Sequence, residues 1–117
     1  VQITFSPDYA VAAVAGILGE PYAGAIREQL RAVVLSGQRF VLVDLSAVSD
    51  IDSRGLGTII SLVKLARERG GEVRCCGAQP FVAEVLALTR LDRILDCFPD
   101  QAAALSERWA APLHPRH

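Results

Sequence analysis

The sequence predicts an α/β fold: a single domain with a small mixed β-sheet of about four to five strands backed by about four helices. Three observations predict it. The run Phe40-Val41-Leu42-Val43-Asp44-Leu45 is short, β-branched and followed by turn-forming residues, as a buried strand is. Downstream, Leu56, Ile59, Ile60, Val63 and Ala66 recur at helical spacing. Upstream, two strand-like stretches flank the turn signal Ser6-Pro7-Asp8. Strands alternating with helices after an initial hairpin give one layered α/β unit.

Taken in order, Val1 to Ser6 alternates weakly through Ile3 and Phe5 and reads as a first strand. Tyr9 to Ala15 reads as a second strand that closes the hairpin. Gly16 to Pro21 reads as a loop, with Pro21 suited to the first position of a helix. Ala23, Ile26, Leu30, Val33 and Val34 form the apolar stripe of that helix, which ends near Ser36-Gly37. The central strand covers Arg39 to Leu45, and the helix that opens at Ser53 ends at Arg69-Gly70-Gly71. Glu72 to Cys76 is a short strand. Pro80 opens a helix with Phe81, Val82, Val85 and Leu86 on its inner side. Ile94 to Phe98 supplies an edge strand, and Asp100 caps a last helix carrying Ala102, Leu105 and Trp109. The domain is expected over 1–109, followed by a flexible tail over 110–117 that contains Pro112 and Pro115.

Composition narrows the classes of function. The chain has 117 residues, enough for one core and too few for two. Its 12 basic and 13 acidic side chains nearly cancel and form no basic stripe, which argues against nucleic acid. No apolar stretch approaches a membrane span, and no signal-peptide pattern is present. The 3 cysteines, Cys75, Cys76 and Cys97, form no disulfide framework, so reduced thiols and a cytoplasmic setting are expected. Cys75 and Cys76 would face opposite sides of a strand, as packing thiols rather than a redox pair.

Enzyme signatures fail. Gly55 fits the second glycine of a nucleophile elbow around Ser53, but Ile51 occupies the place of the first. Gly55-Leu56-Gly57 opens a dinucleotide fingerprint, but Ile60 stands where the third glycine belongs. The histidines, His114 and His117, both lie in the tail, and no Cys/His spacing suits a metal. Asp50 and Asp52 read as solvated loop carboxylates rather than an acid/base pair. Neither a cofactor nor a catalytic role is expected; a small enzyme or a thiol sensor would have to work through Ser53 or Cys75 alone.

Residues 50–57, Asp-Ile-Asp-Ser-Arg-Gly-Leu-Gly, are what remains. They join the central strand to its helix, with Ser53 where the helix begins. Either Ser53 or Asp52 serves simply as the helix cap, or Ser53 is an exposed hydroxyl made to carry a phosphate. A phosphoserine there would bring about −1.5 to −2 charges to the positive end of a helix, beside Asp50 and Asp52. Gly55 and Gly57 would keep the surface bare for a partner.

These residues carry a resemblance. Asp44-Leu45-Ser46-Ala47-Val48 followed by Ile51-Asp52-Ser53-Arg54-Gly55-Leu56-Gly57 resembles the signature of the anti-sigma factor antagonists, which are STAS domains. The similarity continues through Gly70-Gly71, Pro80-Phe81-Val82 and Val85-Leu86-Ala87-Leu88-Thr89-Arg90-Leu91-Asp92, and covers nearly the whole chain. It implies a STAS-type sheet backed by helices. It also implies a cycle in which the unmodified protein binds an anti-sigma factor that is a serine kinase and so frees a sigma factor. The kinase phosphorylates Ser53, the phosphorylated form lets go, and a serine phosphatase resets it. Asp52, Arg54, Gly55, Leu56 and Gly57 would then form the partner-binding surface, and a homodimer is left open. The chain departs from the pattern at Gly16-Ile17-Leu18-Gly19, where many members place an Asp, and at Arg54, where a second Ser is frequent. The missing Asp supports an alternative, a STAS module of another assembly: a stressosome-like scaffold, a lipid-transport complex or a transporter's regulatory part.

Overall fold

The computed structural model describes residues 1–109. The expected tail over 110–117, with His114 and His117, lies outside the described residues. Five strands form one sheet in the order β1-β2-β3-β4-β5: β1 (Gln2–Phe5), β2 (Ala10–Leu18), β3 (Phe40–Ile51), β4 (Glu72–Cys76) and β5 (Asp96–Phe98). β1 pairs antiparallel with β2, and every later pairing is parallel. The helices are α1 (Ala23–Leu35), α2 (Ser53–Glu68), α3 (Pro80–Leu88) and α4 (Gln101–Ser106), with a single 3₁₀ turn at Leu91–Arg93. This is the mixed sheet with helices that the sequence predicts.

The layering follows from the strand order. Each parallel strand pairs with the next in sequence, so right-handed crossovers put α1, α2 and α3 on one face. There Ile26, Leu30 and Val34 of α1, Ile59, Leu62 and Val63 of α2, and Val82 and Leu86 of α3 pack on Val14, Val41, Val43, Leu45 and Cys75 of the sheet. The chain leaves β5 and lays α4 on the opposite face, where Ala104 joins Leu42 and Cys76 in a second, smaller core. Central β3 is therefore buried on both sides, which is why its sequence reads as a continuous apolar run rather than an alternation. Cys75 and Cys76 face opposite cores, as expected of adjacent strand residues.

Helix ends obey local rules. α2 closes in a Schellman motif: Gly70 takes φ +75°, its N–H donates to the Arg67 carbonyl at 3.0 Å, and the Gly71 N–H donates to Ala66 at 2.8 Å. Asp100 caps α4, its Oδ1 accepting from the Ala103 N–H at 2.8 Å.

Several expectations are corrected. β2 does not stop at Ala15 but runs to Leu18, and β3 runs past Leu45 to Ile51, the two pairing as far as Leu18 with Ile51. The pairing absorbs two register irregularities, between Ala13 and Ala15 and between Gly16 and Ile17. Gly16, at φ +79°, supplies a backbone turn that a side chain would oppose, so it bends the strand instead of ending it. Pro21 is not the first residue of α1. It sits in a tight turn closed by the Tyr22 N–H on the Gly19 carbonyl at 2.7 Å, and the helix starts at Ala23. Phe81 is exposed rather than inward-facing, because Val82 and Leu86 take the buried stripe of α3. Trp109 lies beyond the end of α4, which buries Ala104 instead, and joins the second core from its edge.

Candidate functional site

The site forms at the carboxyl ends of the two central parallel strands, where α/β sheets commonly place their functional loops. Because β3 continues to Ile51, the connection to α2 shrinks to Asp52 alone. Asp50 therefore belongs to β3 and not to a loop: it pairs with Ile17, and its Oδ1 accepts from the adjacent Ile51 N–H at 2.9 Å.

Asp52, not Ser53, is the cap of α2. Its backbone is extended, and its Oδ1 accepts from the Gly55 N–H at 2.9 Å. Its Oδ2 reaches across to the end of β2 and accepts from the Glu20 N–H, also at 2.9 Å. These bonds, Gly55 first and then Glu20, hold the Asp52 carboxyl below the ordinary carboxylate range. The Asp52 N–H in turn donates to the Leu18 carbonyl at 3.3 Å. One side chain thus ties the first turn of α2 to the β2–α1 connection.

That division of labour frees Ser53. It is the first residue of the helix, exposed to solvent, and capping makes no demand on its hydroxyl. The amides of Ser53 and Arg54 have no carbonyl partner within the helix, as in any first turn, and the Arg54 amide faces the Asp52 carboxylate. Arg54 is next in line and exposed, with Nη1 3.4 Å from the Glu20 carboxylate. Ser53, Arg54 and Gly57 line an open groove of about 370 Å³, whose other wall carries Glu20 and, from α1, Arg27. Thr58 is buried beneath it, its Oγ1 donating to the Arg54 carbonyl at 3.1 Å.

The two glycines have different roles. A Cβ at Gly57 would meet nothing within 4 Å, so this glycine does leave the helix surface bare. Gly55 is buried, and a Cβ there would run into the Leu18 carbonyl oxygen. Its expected place on an open surface is corrected: it is a glycine because α2 starts in contact with the end of β2. Leu56 is half-buried and packs against the main core. At Gly19 a Cβ would meet a side chain rather than backbone, the Asp52 carboxylate. An acid at Gly19, where the resemblance would place one, would require the Asp52 carboxylate to shift from its present position. The next residue, Glu20, carries an exposed carboxylate. Neither Glu20 nor Arg27 is marked as a site residue by any motif in the sequence; the position of Glu20 directly after Gly19 is the one signal for it.

A family model for the STAS domain matches residues 2–104. The chain belongs to the STAS domain family. Among curated relatives, BtrV of Bordetella bronchiseptica, provisionally named an anti-sigma factor antagonist, is 30% identical over 87% of this chain and 89% of its own. Among solved structures, a Thermotoga maritima protein provisionally described as an anti-sigma factor antagonist superposes with a TM-score of 0.85 at 24% identity, covering 90% of this chain and 91% of that one. The phosphorylated form of the Bacillus cell fate determinant SpoIIAA superposes with a TM-score of 0.71 at 16% identity, covering 90% of this chain and 96% of that one. Both structures share the STAS fold described above.

Proposed function

We propose that this STAS domain is an anti-sigma factor antagonist, switched off by phosphorylation of Ser53. The observation that carries the reading is the capping of α2 by Asp52, which leaves the neighbouring hydroxyl exposed at a helix N-terminus. In its unmodified form the protein binds an anti-sigma factor that is also a serine kinase, and so releases a sigma factor. The contact surface is the start of α2, with Asp52, Arg54 and Gly57, together with Glu20 from across the groove. Gly55 and Leu56 shape this surface from beneath.

The chemistry of release is electrostatic. Transfer of a phosphoryl group from ATP to the Ser53 oxygen places a dianion beside Asp52, in a contact that must shed water to close. A serine phosphatase restores the hydroxyl. The domain itself acts as a binding module in the cytoplasm and performs no step of the phosphoryl transfer. Among the described residues, no helix is long and apolar enough to cross a membrane.

The reading is tested by incubating the protein with its cognate anti-sigma kinase and ATP, followed by peptide mapping. One phosphate on Ser53 is expected, and none in Ser53→Ala. A phosphate taken up equally by the Ala variant would place the switch elsewhere. If native extract yields transport or scaffold components and no kinase, the domain serves another assembly.

A further inference from the structure

We propose that Cys75 and Cys97 form a peroxide-oxidisable dithiol, a modification site separate from Ser53. The two residues are direct register partners on parallel β4 and edge strand β5. Their sulfurs lie 3.0 Å apart, with the Cys75 thiol donating to Cys97. Neighbouring strands run about 4.7–4.9 Å apart, within the Cα span of about 4.4–6.8 Å that a disulfide accepts. The bond can therefore close by a small approach of the two sulfurs, without moving either strand.

The partners are unequal in a way that suits the chemistry. Cys97 is exposed on the outermost strand, whereas Cys75 is 1% exposed and belongs to the main core. The thiol hydrogen bond from Cys75 favours the thiolate of Cys97 and lowers its pKa, against the opposing effects of burial and of Asp92 and Asp96. The same contact, with burial, raises the pKa of Cys75 and keeps it a thiol. Cys97, the sulfur that an oxidant can reach, is the attacking one once its thiol gives up its contact with the Leu95 carbonyl at 3.3 Å, and buried Cys75 is the resolving one. Cys76 points into the opposite core, its thiol pushed up to about 12 by burial and then by Asp44 and Asp100, and takes no part.

The oxidant is hydrogen peroxide. The Cys97 thiolate attacks one peroxide oxygen, the O–O bond breaks, and the departing hydroxide takes up a proton as water. This leaves a sulfenic acid on Cys97. The Cys75 sulfur then attacks the Cys97 sulfur, forming the S–S bond and breaking the S–O bond. The hydroxyl leaves as water with the proton from Cys75. Two thiols are oxidised and one peroxide is reduced to two waters, and a dithiol reductant reverses the result.

The test treats the folded protein with dilute hydrogen peroxide, denatures it in N-ethylmaleimide and weighs it intact. Wild type, with 3 cysteines, should fall from three adducts to one and return to three after reduction. Cys76→Ala should fall from two adducts to none and yield a Cys75–Cys97 linked peptide. Cys97→Ala should keep both remaining thiols alkylated under the same exposure, which provides a check that does not disturb the core. Three adducts in peroxide-treated wild type would overturn the proposal. So would a linkage only between chains, or oxidation of Cys97→Ala at the wild-type rate.

Discussion

The Asp52 carboxylate and the Glu20 backbone N–H, 32 residues apart in sequence, meet at 2.9 Å. Through this bond the cap of α2 also fastens the turn that leads into α1. Asp52→Ala should therefore loosen two elements at once. Its Tm should fall by several degrees, and amide exchange should rise at Glu20 as well as at Gly55. Asp52→Asn keeps an acceptor and should lose less. The sign of the pH dependence follows from the lowered carboxyl. A group held low in the folded state contributes stability above its unfolded pKa of about 3.9, and that contribution is lost as pH falls through the lower folded value. The wild-type advantage over Asp52→Asn should thus be present at neutral pH and vanish in acid. An Asp52→Asn melting curve that tracks wild type at every pH would contradict this.

Gly55 and Gly57 stand two residues apart on α2 and should respond in opposite ways to alanine. At Gly55 the methyl group meets the Leu18 carbonyl, and separating α2 from β2 should cost about 1–3 kcal/mol, as overpacking does. At Gly57 the methyl enters open space, and helix propensity should stabilise the protein by about 0.8–1 kcal/mol. Urea denaturation of the two variants measures both. Gly57→Ala should nevertheless weaken partner binding if the bare helix surface is part of the contact.

Much of this architecture is legible in the sequence, because the Phe40–Leu45 part of β3 carries a nearly continuous apolar run and α2 an apolar stripe of helical period. The carboxyl ends of β2 and β3 are not. Gly16 reads as a breaker, and Ser46, Ala47 and Asp50 lack the apolar run of a buried strand, yet the two strands continue to Leu18 and Ile51 through irregular pairing. Ser53 at the start of a helix is readable from the change of period at residues 51–56. Which of Asp52 and Ser53 caps the helix is not, because either side chain can do so; the choice depends on the Glu20 N–H, which only the fold brings near. The reason for Gly55 is hidden in the same way, since its constraint comes from Leu18.

Arg74 is the other residue whose role only the fold discloses. Its side chain is 4% exposed on the α4 face of β4, where it donates to the carbonyls of Ala104 at 2.7 Å, Glu107 at 2.8 Å and Arg108 at 2.6 Å. Its Nε meets Glu72 at 2.9 Å, and its guanidinium stacks 4.1 Å from the centre of the Trp109 ring. One cation thus closes the end of α4 and draws the chain after it onto the sheet. Arg74→Met should leave those carbonyls without their donor and cost about 3 kcal/mol or more in chemical denaturation. Trp109, the only tryptophan, should report the release through a red-shifted emission. Unchanged emission and stability would show that α4 docks without the cation.

The affinity of the anti-sigma kinase for the unmodified and the Ser53-phosphorylated protein, measured by calorimetry at one salt concentration, tests the central claim most directly. The account predicts tight binding by the unmodified protein and by Ser53→Ala. It predicts at least tenfold weaker binding once the phosphate is on, a loss of about 1.4 kcal/mol or more. Equal affinities for the two forms would contradict it.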